Sequence, residues 1–231
     1  MSSQIQTLFT EISPTYDKLN HLLSFNIDKI WRKKTIQLIK QGKEEKINAL
    51  DLCAGTLDLS IEFLKQYENG SVTSLDFSQA MLDHGKKKLT KAELARSKII
   101  CGDALKLPFE NEMFDVIFCA YGFRNLTDPK KGLQEINRVL KPGGQVLLLE
   151  FFRPQKAATR LFHKTYSRFL LPTLGRLVSK HTGAYQYLHE SIGKFLSVEE
   201  TRNIMHQCGL KPGPAKDLFL GISSIVTGDK P

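Results

Sequence analysis

From residue 47 onward, short apolar runs alternate with longer stretches in which apolar residues recur every three or four positions. INALDL (47–52) reads as a buried strand, 58–67 as a helix, SVTSLD (71–76) as a second strand, and 79–91 as a helix with Ser78 at its N-cap. SKIIC (97–101) and FDVIFCA (114–120) supply a third and a fourth strand. Asp128-Pro129 opens a helix that runs to Leu140, Pro142-Gly143-Gly144 stops it, and QVLLLEF (145–151) follows as a fifth strand. Ser197 caps a helix over 198–208, Gly209 ends it, and two more strands flank Gly221. This rhythm predicts an α/β fold: a mostly parallel sheet of about seven strands with helices on both faces. Sheets of this kind bind ligands beyond the carboxyl ends of their strands.

Two segments stand outside the rhythm. Residues 1–45 read as a helical N-terminal cap, with Leu19, Leu22, Leu23, Ile30, Ile36 and Ile39 near helical spacing, closed by Gly42 and the charged run Lys43–Lys46. Residues 152–190 read as a basic helical insertion after the fifth strand. Within it Phe162, Tyr166, Phe169 and Leu170 share one side of a helical wheel and Arg160, Lys164 and Arg168 the other, before Pro172 closes the run. The 231 residues form one domain, 1–231.

Composition adds three constraints. The densest apolar run, Val146–Phe152, already contains Glu150, so no membrane span is expected, and the N-terminus MSSQIQTLF carries no export signature. The four cysteines are scattered, three of them in or beside strands, so no metal site is expected and a reducing cytoplasm fits. The net charge of +9 is uneven: from Phe151 to His189 there is no Asp or Glu, which favours anionic partners such as lipid or nucleic acid.

The candidate chemistry sits at the strand ends. The first strand runs into Asp51-Leu52-Cys53-Ala54-Gly55-Thr56-Leu57-Asp58, where small residues let a ligand approach the backbone. Asp76 ends the second strand, placed to accept from ribose hydroxyls or to cap the next helix. Asp103-Ala104 follows the third strand, where a carboxylate accepts from an adenine amino group or is merely solvated, and Ala120 ends the fourth. A dinucleotide loop wants several glycines around a pyrophosphate. This loop has one glycine and two flanking acids, Asp51 and Asp58, which suit a cationic ligand without phosphate. S-adenosylmethionine, with an ammonium and a sulfonium, meets that description. Asp51 has a second reading, as a group that only holds loop amides, and Lys86-Lys87-Lys88 reads as a solvated helix face.

With these residues in view, the chain resembles the ubiquinone/menaquinone biosynthesis C-methyltransferase family. The likeness runs through FTEISPTYDKLNHLLSFNIDKIWRKKTI, ALDLCAGTLDLS, LPFENEMFDVIFCAYGFRNLTD, RVLKPGGQVLLLEF and AYQYLHESI. It implies a Rossmann-like class I methyltransferase and identifies Thr56, Asp76, Asp103 with Ala104, and residue 120 with the family's donor-binding positions. Two residues depart from the pattern: Leu57 stands where glycine is usual, and Ala120 where some members have serine. The implied reaction methylates a ring carbon of a prenylated quinol, on the menaquinone or the ubiquinone branch. Arg124 then stabilises phenolate charge and orients water, Asn125 fixes Arg124, and Tyr16 hydrogen-bonds to it. The alternative for Arg124 is a structural salt bridge.

A lipid-soluble quinol implies a cytoplasmic protein that meets the inner membrane face, with 152–190 as a tail-binding lid or membrane contact. A homodimer is compatible with the sequence. Three other readings stay open: an O- or N-methyltransferase of a soluble small molecule, a basic RNA-binding protein, and a donor-binding protein without catalysis. No RNA-binding module signature is present, so no nucleic-acid partner is expected.

Overall fold

The structure, a computed structural model, describes Thr10, residues 16–24, 26–155, 159–160, Tyr187 and residues 190–231. The basic insertion expected over 152–190, with its amphipathic face, lies almost wholly outside these residues. The described elements begin with helices α1 (Tyr16–Leu23) and α2 (Ile27–Ile36), followed by β1 (Asn48–Leu52), α3 (Asp58–Gln66) and β2 (Ser71–Asp76). Next come α4 (Gln79–Lys86), α5 (Lys91–Ala95), β3 (Ser97–Cys101), β4 (Phe114–Ala120), α6 (Pro129–Val139) and β5 (Leu140–Glu150). Helix α7 (Val198–Gln207) and strands β6 (Lys211–Pro212), β7 (Lys216–Leu218) and β8 (Ser223–Asp229) close the chain.

The sheet order is β3-β2-β1-β4-β5-β8-β6, with β7 also paired to β8. Strands β1 to β5 pair in parallel, and β8 runs antiparallel to β5, β6 and β7. The topology reverses at β1, where β2 lies on one side and β4 on the other, and ligands of open α/β sheets bind at that crevice. Eight strands rather than about seven arise because Gly213-Pro214 splits the edge strand into β6 and β7.

Alternation along the strands builds a core on each face. Leu50, Leu52, Ile117, Cys119, Val146 and Leu148 face α6 and α7, meeting Leu133, Ile136, Val139 and Met205. Their neighbours Ala49, Val116, Phe118 and Leu147 face the other way, onto Ile36 of α2 and Leu59, Phe63 and Leu64 of α3. Between α3 and the sheet lies one polar contact, where the Ser60 hydroxyl donates to Asp51 Oδ2 (2.6 Å) and meets Ser74 Oγ (2.7 Å).

Three boundaries differ from the sequence pattern. The helix expected over 79–91 ends at Lys86, and a separate α5 starts from a capping box in which Thr90 and Glu93 bond reciprocally. The strand after α6 begins at once, at Leu140, and residues 141–144 bulge out as the register jumps from Phe114↔Leu140 to Val116↔Gln145. The helical cap is broken at Asn26, whose φ of 60° is a conformation that asparagine tolerates. Cys101 is exposed at the sheet edge, whereas Cys119 and Cys208 are buried as small apolar residues.

Leu57 adopts φ 67° at the N-terminus of α3, which explains why glycine suits this position, and its side chain is nevertheless fully buried. Room for it comes from Gly85 in α4. A Cβ there would lie 2.6 Å from Leu57 Cγ and equally close to the Thr56 carbonyl, and backbone cannot move aside cheaply. Gly85→Ala is expected to cost about 1–3 kcal/mol, a fall in Tm of roughly 3–10 °C by calorimetry for a chain of this size. An unchanged Tm would mean that α4 does not clamp the Leu57 side chain.

Candidate active site

The ends of β1, β2 and β4 enclose a cleft of about 590 Å³, open to solvent and roofed by the N-terminal cap. Its floor is the loop Cys53–Thr56, its flanks include Asp51, Asp58, Asp76, Ala120 and Tyr121, and Tyr16 and Arg32 come from the cap. A second cleft of about 670 Å³ continues toward β3, lined by Asp76, Phe77, Cys101, Asp103, Ala104 and Leu126. Cys53, Asp76 and Phe77 therefore form the wall that the two share.

The strand-end acids differ in state. Asp76 accepts from Gly55 N and from Ser78 N, each at 2.9 Å, so one carboxylate ties the loop after β1 to the start of α4. The cap of α4 itself is Ser78, whose hydroxyl accepts from Met81 N, so Asp76 fastens the capping residue, and lone pairs of its two oxygens remain for a ligand. Burial raises its pKa despite those bonds. Asp51 is also buried, and burial pushes its pKa up to about 7 against the hydrogen bonds from Ser60. Asp103 is exposed, its Oδ1 accepting from Leu105 N (3.0 Å), with buried Ala104 beside it.

Asp58 and Lys88 part from the sequence expectation. Asp58 lines the cleft, but Lys88 Nζ reaches its Oδ1 (2.5 Å) and Arg32 Nη2 lies 3.5 Å from its Oδ2, so its charge is already compensated. Lys88 also donates to Asp17 (2.7 Å), which in turn accepts from Thr56 Oγ1 (2.5 Å). It is thus a brace between elements and not a solvated helix residue. Burial pushes Asp17 up, but Lys88 and Thr56 outweigh that and hold it below the usual carboxylate range. Beyond Arg32 the chain of pairs continues to Asp28, which also accepts from Ser24 (2.5 Å) and faces His21 (2.8 Å). His21, Asp28 and Asp58 offer atoms within 4.8 Å of one another, but Arg32 and Lys88 supply the positive charge there.

The expected acceptor-side residues meet at the β4 end. Tyr16 and Asn125 line the cleft, and Arg124 lies behind them, its side chain only 6% exposed. Glu150, fully buried, fixes Arg124: Oε1 takes Nη1 (2.7 Å) and Oε2 takes the Arg124 amide (3.2 Å). Arg124 also donates to the Tyr121 carbonyl (2.5 Å) and to Ser191 (3.4 Å). Its orientation therefore comes from Glu150 and Tyr121, whereas Asn125 accepts from the Tyr187 hydroxyl (2.7 Å). The salt-bridge reading of Arg124 is thus part of the observed geometry. Burial raises the Tyr16 pKa, and the nearby Arg124 charge works in the opposite direction. Glu150, missed as a site residue, had one signal in the sequence: a lone acid inside the apolar run VLLLEF needs a buried partner.

The fit to a methyl donor rests on this lining. Three acids and a single arginine face the first cleft among the described residues, and with Asp58 already paired, Asp51 and Asp76 are the acids left to suit a cationic ligand over a diphosphate. The fold matches solved methyltransferases. An S-adenosylmethionine-dependent methyltransferase from Aquifex aeolicus aligns with TM-score 0.65 and 19% identity over 96% of this chain and 98% of that one. Another from Thermotoga maritima gives 0.69 and 17% over 97% and 99%. The fold is thus that of the Rossmann-like class I methyltransferases, with a cleft suited to S-adenosylmethionine. More narrowly, the chain belongs to the ubiE/COQ5 methyltransferase family, whose model matches residues 1–230. A demethylmenaquinone methyltransferase from Desulfitobacterium hafniense is 38% identical over 233 residues, covering 100% of this chain and 91% of that protein. One from Bacillus cereus is 35% identical over 231 residues, covering 99% and 96%.

The state of Asp51 sets a pH dependence. Its pKa near 7 means that it is partly protonated at neutrality, and a donor ammonium beside it favours the ionised form. Donor binding then displaces a proton below about pH 7, and affinity falls as pH drops through that value. Calorimetry with S-adenosylhomocysteine from pH 5.5 to 8.5, in buffers of different ionisation enthalpy, should show this. Asp51→Asn is expected to flatten the profile, and a profile unchanged by that substitution would remove Asp51 from the donor site.

Proposed function

We propose that this protein methylates a ring carbon of a prenylated quinol, with demethylmenaquinol as the first candidate, using S-adenosylmethionine as donor. The observation that carries this reading is the guanidinium of Arg124, pinned by Glu150 and Tyr121 at the β4 end of the donor cleft, beside Tyr16 and Asn125. Two relatives that match this chain nearly end to end are demethylmenaquinone methyltransferases, which supports the same acceptor.

The bound donor supplies a methyl group on a sulfonium, open to displacement by a nucleophilic carbon. A quinol carbon becomes nucleophilic as a neighbouring hydroxyl loses its proton. The protein's part is to align the ring and to stabilise the phenolate charge that develops. Arg124 is buried and permanently charged, so it raises the local positive potential and takes up no proton. Tyr16 and Asn125, which line the cleft, are the polar groups that contact the quinol hydroxyl.

Among the described residues no helix is long and apolar enough to cross a membrane. A tailed quinol is therefore met at a lipid surface, and the acid-free segment 151–189 is the part of the chain suited to anionic lipid. Its start is fastened by Thr159 Oγ1 to the carbonyl of Leu220 (2.8 Å), in a turn where Phe219 and Leu220 are both exposed.

Transfer of labelled methyl to reduced demethylmenaquinone, to a demethylated ubiquinol precursor and to a soluble catechol, assayed in parallel, tests the reading. Methylation of the first or second is expected, and a preference for the catechol would overturn it. Arg124→Lys keeps a charge opposite Glu150 but loses the fork. It is expected to lower kcat by about 100-fold or more with donor affinity unchanged, and wild-type turnover would take Arg124 out of the mechanism.

A further inference from the structure

The donor's position follows from the two clefts. A nucleoside held at Asp76 with its base toward Asp103 and Ala104 leaves the amino-acid end in the first cleft, over the loop after β1. That end carries an ammonium and a carboxylate. The acids of the lining suit the ammonium, but the carboxylate needs donors, and three of the loop's amides and its one hydroxyl are already taken. The amide of Ala54 already donates to the Leu75 carbonyl (3.0 Å), that of Gly55 to Asp76 (2.9 Å) and that of Leu57 to the Ala54 carbonyl (2.9 Å). The Thr56 hydroxyl is committed to Asp17.

Arg32 is the one cation among the described residues that line this cleft. It comes from α2, it is 8% exposed, and it stands 5.9 Å over the ring of Tyr121 at the end of β4. Asp28 holds Nη1 and Asp58 lies near Nη2, so the guanidinium is set in place before any ligand arrives, while Nε makes no hydrogen bond among the described residues. Both acids are shared. Asp28 also takes Ser24 and His21, and Asp58 also takes Lys88, so each acid divides its oxygens among several partners. Lys88, the nearest other cation in this network, does not line the cleft and is occupied by Asp17 and Asp58.

We propose that Arg32 binds the α-carboxylate of the donor's methionine end, so that the N-terminal cap, and not the glycine loop alone, recognises the amino-acid half of S-adenosylmethionine. The cap then has a function beyond covering the site. It distinguishes the intact donor from nucleosides that lack the carboxylate. Asp28 and Asp58 act as positioning residues for the guanidinium.

The test compares S-adenosylmethionine with decarboxylated S-adenosylmethionine, which keeps the nucleoside, sulfonium and ammonium, by equilibrium binding to the full-length protein without acceptor. The wild type is expected to prefer the intact donor by about tenfold to a hundredfold, the range for a hydrogen-bonded charge. Arg32→Gln should erase that preference by weakening the intact donor about tenfold or more beyond any loss shared with the decarboxylated one. Arg32→Lys should restore part of it. Equal weakening of both ligands would mean that Arg32 only braces the cap, and an intact preference would mean that another group binds the carboxylate. Either result overturns the proposal. Because no acceptor is present, failure here is distinct from failure of the quinol reading.

Discussion

The chain of ion pairs that runs Asp28–Arg32–Asp58–Lys88–Asp17 and ends on Thr56 is the constraint on which the site depends. It joins four separate pieces: the cap helices α1 and α2, the start of α3, the turn after α4, and the loop after β1. Among the described side chains, α2 gives Ile36 to one core and Trp31 and Ile27 to a smaller cluster with Leu149, Leu218 and Ile225. The polar groups of this chain of pairs tie the cap to the edge of the cleft. Buried pairs of this sort add little net stability over apolar packing, but removing one partner strands the other. Such a network specifies geometry more than it adds stability, which is what a roof over a binding cleft requires.

Backbone conformation shows the same concentration at the strand ends. Cys53, Gly55 and Leu57 after β1, and Tyr121 after β4, all have φ between 53° and 67°. Only one of the four is glycine, and the left-handed region costs an ordinary L-residue about 1 kcal/mol or more. Two strands adjacent in the sheet, β1 and β4, thus end in turns that local preference disfavours, on the edge that faces the cleft. What holds them is visible: Asp76 on the Gly55 amide, the Leu75 carbonyl on Ala54, Gly85 against Leu57, and the Leu149 carbonyl on the Tyr121 amide (2.9 Å). The tight approach of Gly122 to Cys53, where a Cβ would lie 2.3 Å from Cys53 Cβ, locks the two turns together.

How legible this was in the sequence depended on whether a signal is local. SVTSLD and FDVIFCA appear as strands with their expected limits because runs buried on both faces read as strands without knowledge of their neighbours, and SKIIC does so although it is the half-buried edge strand. The strand-end acids were equally legible, since the parallel topology alone puts Asp51, Asp76 and Asp103 on one edge. The split between α4 and α5 was written in Thr90 and Glu93 but hidden by continuous helical periodicity across the break. The partners of Asp58 and Lys88 were not legible, because the pairs span up to 71 positions and charge on a helix reads as solvated by default. Glu150 lay between these cases: its burial could be inferred, its partner could not.

One further relation emerges only in three dimensions. Tyr121 and Phe151 stack at 4.6 Å between two guanidiniums, Arg32 over the ring of Tyr121 and Arg124 over that of Phe151, each at 5.9 Å. Arg124 also holds the Tyr121 carbonyl. Each arginine is braced by buried acid, Asp28 on one side and Glu150 on the other. The aromatic pair thus separates two like charges that would otherwise repel, and cation–π attraction on both faces offsets part of their desolvation. In the proposed arrangement Arg32 marks the donor end and Arg124 the acceptor end, with Tyr121 between them. A transfer reaction needs two ligands brought into line at a fixed separation. A rigid stack set between the two anchoring charges provides that separation from the protein itself, before either ligand binds.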